Sequence, residues 1–241
     1  MKIVLCTTSK PKINFYKNLV EKFKSNDPAF IGTIDLYNKR IGQLPNSISI
    51  TDEDIKMMGM LEFLSPDDVE IPLAYVRENG FGTYENAMLK SKGNSHISAK
   101  YYTLAEDSSA YVNSYGGPGD HISRFYKSHS NMHIVNFLNK NNLNRGVTIT
   151  TTMILRRGDD TYSGCGIIQG IVPFTTEITD VREMGFSIDS LIIPFGANNM
   201  GEIALAEFDD NSYYLTHPKT KALISLLHNG EVRDAILKGE S

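Results

Sequence analysis

Three short segments of the sequence combine lysines, hydroxyl groups and carboxylates near the predicted ends of strands and helices. They are residues 7–12 (TTSKPK), 78–90 (ENGFGTYENAMLK) and 105–109 (AEDSS). Lysines suit phosphate groups, adjacent carboxylates suit a hard cation such as Mg²⁺, and one carboxylate can activate a water molecule. Taken together, the three segments predict metal-assisted phosphoryl chemistry.

The first segment lies between a predicted strand and a predicted helix. Residues 2–7 form a short apolar run with β-branched side chains, and Ile13, Tyr16 and Leu19 then recur at helical spacing. Unpaired backbone N–H groups and the helix dipole favour an anion at such a junction. An ordinary helix start with solvated lysines explains residues 7–12 equally simply, and this segment alone favours that reading.

The second segment leads into a helix that we expect to begin near Thr83, as its N-cap, and to end near Ala99. Asn86 and Lys90 are four residues apart and therefore share a helix face, while Glu78 lies on the preceding loop. A capped surface helix after a glycine-rich turn is the alternative. This segment alone does not decide between that alternative and a site.

The third segment places Glu106 and Asp107 at the end of a predicted strand, residues 101–107. Two adjacent acids repel each other unless a lysine or a metal cation compensates their charge. Mg²⁺ prefers such oxygen ligands and usually keeps several waters and a substrate phosphate. A solvated strand end is the alternative, but the position at the end of an apolar strand favours a site.

The composition excludes several classes of protein. The 241 residues carry a net charge of -4 and no long basic run, so we expect no binding to nucleic acid. No apolar stretch approaches the roughly 18 residues of a membrane span, and the N-terminal apolar run is too short for a signal peptide. A cytoplasmic protein with no membrane contact is expected. Cys6 and Cys165 are expected to be buried and inert.

The remaining pattern indicates alternating strands and helices with no repeats. Residues 25–58 are expected to form a surface excursion, with a short strand at 33–37 and a helical turn near 51–60. Further strands are expected at 60–64, 147–156, 161–173 and 190–195, and helices near 121–126, 131–140, 220–229 and 231–238. The two long β-branched runs are expected to form a hairpin through Gly158-Asp159-Asp160 and to build a second lobe.

The order and spacing of the three segments resemble the inosine triphosphate pyrophosphatase family. That family begins with a strand and a T-x-N-x-x-K loop, which residues 7–12 match with Ser9 in place of the asparagine. Its E-T-G-x-T-F-x-E-N-A-x-x-K motif aligns with residues 78–90 without a gap. Its A-[DE]-D-S-G-L and G-x-P-G motifs resemble residues 105–110 and 116–119, with Ser123-Arg124 in the position of an S-x-R motif.

The second half of the chain resembles the family less closely. Residues 185–190 (GFSIDS) resemble a G-F-G-[YW]-D-P loop, and residues 212–218 (SYYLTHP) resemble a K-N-x-x-S-H-R segment. The retained residues are Gly185, Phe186, Asp189 and His217. The residues that differ are Ile188, Ser212 and Pro218, in place of an aromatic residue, a lysine and an arginine. Lys219 and Lys221 are candidates to supply the missing cation.

The resemblance implies an α/β fold with an elongated mixed central sheet and two lobes that flank an active-site cleft. It implies a single domain over residues 1–241. Lobe 1 would span about residues 1–140 plus the C-terminal helices, and lobe 2 about residues 145–195. A homodimer is implied by the resemblance alone.

The resemblance also implies a nucleoside triphosphate pyrophosphatase that uses Mg²⁺ to release a nucleoside monophosphate and pyrophosphate. Asp107 and Lys90 would be catalytic, with Asp107 acting on the water, and Glu78, Asp107 and Glu106 would hold the metal. The substrate-binding residues would be Ser9, Lys12, Asn86, Ser108, Phe186, Asp189, His217 and Lys219.

The altered base-binding motifs predict a nucleotide preference other than inosine or xanthosine triphosphate, because lost hydrogen-bond partners in a tight pocket are penalised strongly. The same losses leave two alternatives open. One is a nucleotide-binding or sensor protein with impaired catalysis. The other is an enzyme that acts on a different pyrophosphate-containing molecule.

Overall fold

The computed structural model describes residues 1–41, 48–120, 122–174, 186–196 and 203–239. Its strands are β1 (Lys2–Leu5), β2 (Glu62–Leu64), β3 (Tyr102–Val112), β4 (Pro118–Gly119), β5 (Gly146–Arg157), β6 (Asp160–Ile171) and β7 (Ile193–Pro194). Its α-helices are α1 (Lys10–Lys24), α2 (Pro28–Ile41), α3 (Asp52–Gly59), α4 (Gly82–Gly93), α5 (Ser95–Ser98), α6 (Ile122–Phe125), α7 (Asn131–Asn141), α8 (Asp210–Thr216), α9 (Pro218–Leu227) and α10 (Gly230–Leu237). Short 3-10 helices span Asp67–Val69, Ser187–Leu191 and Leu205–Glu207.

The strands form one mixed sheet in the order β2-β1-β3-β5-β6-β7, and β4 pairs with β3. Strands β2, β1 and β3 are parallel, whereas β3, β5, β6 and β7 pair antiparallel. This sheet confirms the predicted mixed α/β class and the β5–β6 hairpin. The hairpin continues the sheet that contains β1. The division of the chain into lobes stays a prediction.

Strand β3 extends well beyond its parallel neighbour β1. The pairing with β1 ends where Leu5 meets Leu104, but the pairing with β5 continues to Val112. Glu106 and Asp107 therefore lie inside a strand, and the prediction that the strand ends at residue 107 was wrong. The antiparallel ladder with β5 carries β3 onward. The two acids lie just past the carboxyl end of β1, on the edge where the parallel strands stop.

The segment from residue 25 to 58 is mostly helical and contributes to the core, so the predicted surface excursion was wrong in its described part. Phe30, Ile34 and Tyr37 are buried on one face of α2, and Met57 and Met58 are buried in α3. The spacing of the α2 side chains fits a helix, which explains why the strand expected at 33–37 does not form. The sequence also predicts a turn at residues 43–47 (QLPNS), which lie outside the described residues.

Helix α4 starts at Gly82 with Phe81 in the N-cap position, so Thr83 is not the N-cap that we predicted. The Thr83 hydroxyl is buried and lies 2.7 Å from the Thr152 hydroxyl of β5. This contact ties the first turn of α4 to the sheet. The helix ends at Gly93, and residues up to about 99 form the separate short helix α5.

Glycines in β6 allow helix α9 to pack directly on the sheet. A Cβ atom on Gly166 would lie 2.0 Å from the Pro218 carbonyl oxygen, and one on Gly164 would lie 2.3 Å from the Ala222 carbonyl oxygen. Only glycine permits this approach. The contact fixes the beginning of α9, which lies over the carboxyl edge of β1.

Three smaller expectations have mixed outcomes. The strand predicted at 190–195 is reduced to β7, because residues Ser187–Leu191 form a 3-10 helix. Cys6 is buried as expected, but Cys165 is exposed because alternate residues of β6 face outward. Among the residues that the structure describes, no helix is long and apolar enough to cross a membrane.

Candidate active site

A cavity of about 720 Å³ opens at the carboxyl edge of the parallel strands. It is lined by the loop after β1, the segment before α4, the middle of β3, the beginning of α9 and the 3-10 helix that follows Phe186. Residues from all three chemically distinctive segments therefore surround one space. Helix α6 lines the cavity as well.

Glu106 is the buried centre of a charged cluster in this cavity. Its carboxylate lies 2.7 Å from Lys12 Nζ and 3.0 Å from Lys219 Nζ, and it accepts a hydrogen bond from the Tyr16 hydroxyl. Burial opposes ionisation of Glu106, but the two ammonium charges and these hydrogen bonds outweigh burial and hold the pKa of the carboxyl well below its usual range. Glu106 is therefore a carboxylate that holds two lysines together.

The two lysines of this cluster have different environments. Burial disfavours the charge on Lys12, but Glu106, with smaller contributions from Asp107 and Glu78, outweighs burial and raises the pKa of Lys12. Burial lowers the pKa of Lys219, and repulsion from Lys12 adds to this effect against the attraction of Glu106. The charge on Lys219 thus depends on Glu106 more strongly than the charge on Lys12 does.

Lys90 links two further carboxylates. Its Nζ lies 2.7 Å from Asp107 Oδ1 and 3.4 Å from Glu78 Oε2, and it donates a hydrogen bond to the Glu106 carbonyl oxygen. Burial raises the pKa of Asp107, although Lys90 and Lys12 act in the opposite direction. A carboxylate whose proton affinity is raised in this way is a better base than a solvated one.

The three carboxylates expected to hold a metal divide into two sets, and the three-ligand metal site stays a prediction. In the described part of the chain, no group of three His, Cys, Asp or Glu side chains is placed to share a metal ion. Each carboxylate oxygen of Glu106 is paired with a lysine, Oε1 with Lys12 and Oε2 with Lys219. Glu78 and Asp107 share Lys90, and this pair of carboxylates fits Mg²⁺, which completes its shell with waters and phosphate oxygens.

Asn86 lies behind the cavity, so the expectation that it contacts substrate is not supported by its position. It is fully buried and does not line the cavity. Its Oδ1 accepts a hydrogen bond from the Gly80 N–H at 2.9 Å, and its Nδ2 donates to Asp107 Oδ2 at 3.3 Å. Asn86 therefore fixes the loop that carries Glu78 and orients the carboxylate of Asp107.

Two hydroxyl groups line the cavity beside the lysines. Ser9 occupies the N-cap position of α1, and its side chain makes no capping hydrogen bond. The Ser108 hydroxyl lies 2.8 Å from the Thr151 hydroxyl and accepts a hydrogen bond from Lys219 Nζ at 3.2 Å. Both side chains line the cavity, and their contact with substrate stays a prediction.

Aromatic and aliphatic side chains also line the cavity, next to the charged cluster. Phe186 lies under Lys219, whose Nζ is 4.7 Å from the ring centroid, and buried Ile188 lies beside it. His217 Nδ1 accepts the Lys219 N–H and so caps α9. Burial lowers the pKa of His217 against the pull of Asp189, which keeps the imidazole neutral. Gly185, the first residue of this predicted loop, lies outside the described residues.

Several lining residues had little or no sequence signal. Arg77 and Arg124 are exposed side chains at the cavity, and only Arg124 stood near a motif. Asp120 lines the cavity and accepts the Gly82 N–H at 3.2 Å. Tyr16 fits the helical core pattern of α1, and nothing in that pattern indicates that its hydroxyl binds Glu106. Ser212, in α8, does not line the cavity.

Comparisons with known proteins find similarity only in structure. No protein-family model and no curated protein sequence matches the chain. A HAM1 protein from Coxiella burnetii superposes with a TM-score of 0.62 at 16% identity, covering 94% of this chain and 96% of that one. The Ham1 protein of Staphylococcus aureus gives 0.62 at 18% identity, with both chains covered completely.

A third solved structure agrees with these two. It is described as a nucleoside-triphosphatase / dITP/XTP pyrophosphatase from Mycobacterium abscessus, with a TM-score of 0.56 at 18% identity. The match covers 95% of this chain and 100% of that one. Likeness at this level of identity establishes a common fold. The chain therefore has the fold of the Ham1-type proteins, as the resemblance in its sequence predicted.

Proposed function

We propose that this protein is a nucleoside triphosphate pyrophosphatase, which hydrolyses a nucleoside triphosphate to the monophosphate and pyrophosphate with Mg²⁺. One observation carries the proposal: Lys12, Lys90 and Lys219, from three separate helices, surround the adjacent acids Glu106 and Asp107 in one cavity. Phe186 and Ile188 line the same cavity. The charged side chains suit the triphosphate, and the apolar side chains suit the base.

The lysine cluster around Glu106 would bind the phosphate groups. Lys12 and Lys219 present two ammonium groups that Glu106 holds at a fixed separation, and Ser9 and Ser108 add hydroxyl donors. The N-terminus of α1 contributes backbone N–H groups and a favourable dipole for an anion. Preorganised donors of this kind stabilise charge without having to reorient during the reaction.

The Asp107 side of the cluster would carry out the hydrolysis. Glu78 and Asp107 would hold Mg²⁺, which when bound neutralises negative charge on the phosphate oxygens. Asp107 takes a proton from the attacking water, whose oxygen forms a bond to the α-phosphorus. The bond from the α-phosphorus to the oxygen that bridges to the β-phosphorus breaks, and pyrophosphate leaves with that oxygen. Lys90 balances the charge that develops, and Asn86 keeps Asp107 oriented.

The substrate would be a nucleotide with a non-canonical or modified base. The Mycobacterium abscessus structure of the same fold is named a dITP/XTP pyrophosphatase, which supports triphosphate chemistry in this fold. Where the family carries an aromatic residue, a lysine and an arginine, this chain has Ile188, Ser212 and Pro218, and of these only Ile188 and Pro218 line the cavity. The homodimer is proposed from the resemblance alone, and the cytoplasmic location stays a prediction from the sequence.

The test is Mg²⁺-dependent release of pyrophosphate from a panel of nucleoside triphosphates. Asp107→Asn should lower kcat by about 10²-fold or more, since it removes the base. Circular dichroism should show that the fold is intact. Unchanged turnover in this variant would refute the role of Asp107. A wild-type protein that binds nucleotides but releases no pyrophosphate would favour a nucleotide-binding or sensor protein. Turnover only of pyrophosphate-containing molecules other than nucleotides would favour an enzyme that acts on such a molecule.

A further inference from the structure

Residues 72–80, which we call the strap, lead into α4 and border the cavity. Residues 73–78 of the strap line the cavity and belong to neither a helix nor a strand. Every second residue of the strap contacts α4 or the residues just after it. The contacts join Pro72 to His96, Ala74 to Asn94, Val76 to Gly93, Glu78 to Lys90 and Gly80 to Asn86. The strap is therefore held against α4 along its length.

Arg77 lies between two of these contacts and makes none itself. Its side chain is exposed and lines the cavity, and within the described part of the chain it has no hydrogen bond or ion pair. Neighbouring side chains of an extended segment point to opposite sides, which fits the alternation of the contacts. The contacts of Val76 and Glu78 fix the main chain on both sides of Arg77, and its guanidinium group stays available to a ligand.

The charges that surround the cavity balance each other. Among the described residues that line it, five side chains are cationic and five are carboxylates, and burial lowers the pKa of His217 so that its imidazole is neutral. Each of the three lysines is paired, Lys12 and Lys219 with Glu106 and Lys90 with Asp107 and Glu78. A nucleoside triphosphate remains anionic after it binds one Mg²⁺. Its phosphate chain therefore gains most from cations that no carboxylate has already neutralised.

Arg77 and Arg124 are the cavity cations that have no carboxylate partner among the described residues. Arg124 stands in the position of an S-x-R motif, whereas Arg77 precedes the motif at 78–90 and no motif includes it. A guanidinium group remains charged at any ordinary pH, and its planar donors match two phosphate oxygens. Arg77 thus has the chemistry of a phosphate ligand at a position that no sequence motif indicates.

A series of contacts leads from the aromatic side of the cavity toward Arg77. In order, the contacts join Phe186, Lys219, Glu106, Lys90 and Glu78. Arg77 directly precedes Glu78 in the chain. With the base against Phe186 and the α-phosphate at Asp107, the remaining phosphate groups extend toward Glu78 and Arg77.

We propose that Arg77 binds the terminal phosphate groups of the nucleotide, which are the groups that leave as pyrophosphate. This inference rests on the proposed pyrophosphatase function and assigns a residue to the leaving group. The guanidinium group donates hydrogen bonds to two phosphate oxygens, and the anchored strap limits the conformational freedom that is lost on binding.

The test is calorimetry with inorganic pyrophosphate in the presence of Mg²⁺. Pyrophosphate carries no base, so the result does not depend on base selectivity. Arg77→Met should raise the Kd by about tenfold or more, because it removes hydrogen bonds to a charged group. Arg77→Lys should recover part of the loss, since lysine keeps the charge without the paired donors. An unchanged Kd in Arg77→Met would overturn the proposal. Arg77 is exposed, and circular dichroism should show that both variants fold.

Arg233→Met is the matched control. Arg233 lies in α10, outside the cavity, and pairs with Glu53 at the surface. This variant loses the same charge and should bind pyrophosphate with the wild-type Kd. A loss of affinity equal to that of Arg77→Met would show that the effect is a general one of net charge and would overturn the proposal.

The same measurement separates this inference from the proposed function. If pyrophosphate binds through Arg77 but the protein releases none from any nucleotide, the proposed function fails and the role of Arg77 stands. If a nucleotide is hydrolysed to pyrophosphate and the Kd of pyrophosphate does not depend on Arg77, the function stands and the role of Arg77 fails. A wild-type protein that does not bind pyrophosphate overturns the role of Arg77.

Discussion

Lys219 Nζ lies 3.0 Å from Glu106 Oε2, and both side chains are almost completely buried although 113 positions separate them in the chain. Lys219 belongs to α9, near the end of the chain, and Glu106 to β3, in the centre of the sheet. The pair therefore joins the C-terminal helices to the strand that carries the reactive acids. This relationship couples the stability of the fold to the geometry of the cavity.

A double-mutant cycle tests this coupling. Glu106→Gln should lower the free energy of unfolding by about 3 kcal/mol, because it leaves Lys219 buried without its counter-charge, and Lys219→Met should lower it by less, because Lys12 still faces Glu106. The double variant should lose clearly less than the sum of the two losses. Urea unfolding of the four proteins measures all of these values. Simple additivity would mean that the two side chains do not interact energetically.

The pH dependence of stability follows from the same cluster. The folded-state pKa of Glu106 is lowered, because its lysine partners outweigh burial. Its contribution is therefore complete above the unfolded pKa of about 4.3 and is lost as the pH falls toward the folded value. On acidification below about pH 4.3, the wild type should lose more stability than Glu106→Gln. If thermal unfolding at several pH values shows that the wild type and Glu106→Gln lose stability in parallel, ionisation of Glu106 is not the cause.

Lys90 is the cation shared by the two proposed metal ligands. Lys90→Met should reduce kcat for pyrophosphate release by about 10²-fold, because it removes a preorganised positive charge beside the reacting groups. Lys92→Met is the matched control, since Lys92 lies on the same helix but is exposed. That control should retain wild-type kcat. Equal effects of the two substitutions would indicate a general loss of positive charge and would exclude a local role of Lys90.

Asn86 is predicted to act by orienting Asp107. Asn86→Ala should lower kcat by about tenfold and the free energy of unfolding by about 1–2 kcal/mol, because it leaves the Gly80 N–H and one side of Asp107 unpaired. Asn38→Ala removes a similar clamp, in which Asn38 binds the N–H and the carbonyl oxygen of Ile50. This control should lose stability and keep kcat. A loss of stability without a loss of kcat in Asn86→Ala would reduce Asn86 to a structural residue.

The packing of α9 against β6 is predicted to require glycine at position 166. Gly166→Ala should lower the free energy of unfolding by about 1–3 kcal/mol and also reduce kcat/KM, because an added Cβ would displace the beginning of α9 and with it Lys219. Gly32→Ala, in α2, has open space around the new Cβ and should raise stability by about 0.5–1 kcal/mol. Thermal unfolding and nucleotide assays on both variants check this contrast.

Much of the architecture could be predicted from periodic patterns in the sequence. The β5–β6 hairpin and the helices α7, α9 and α10 follow from β-branched runs and helical spacing. The three polar segments around the cavity could be identified from the sequence, because lysines and carboxylates at the ends of apolar strands and helices indicate a binding site. The run at 33–37 was misread because a short apolar run does not distinguish a strand from one face of a helix.

The details of the site depended on tertiary contacts that no local pattern contains. Glu106 was expected to bind metal because an acid pair on a strand has the composition of a metal site. The structure instead gives Glu106 two lysines and a tyrosine, from α1 and α9. Asn86 shares a helical side with Lys90, but packing directs it behind Asp107. Both outcomes depend on how distant elements meet on the sheet.

The most direct test of the proposed function is to identify the products formed from a nucleoside triphosphate in the presence and absence of Mg²⁺. Chromatography should show equal amounts of nucleoside monophosphate and pyrophosphate with Mg²⁺, and neither product after chelation of the metal. The assay should begin with ATP, CTP, ITP and UTP. Formation of nucleoside diphosphate and phosphate, or no turnover of any nucleotide, would contradict the assignment.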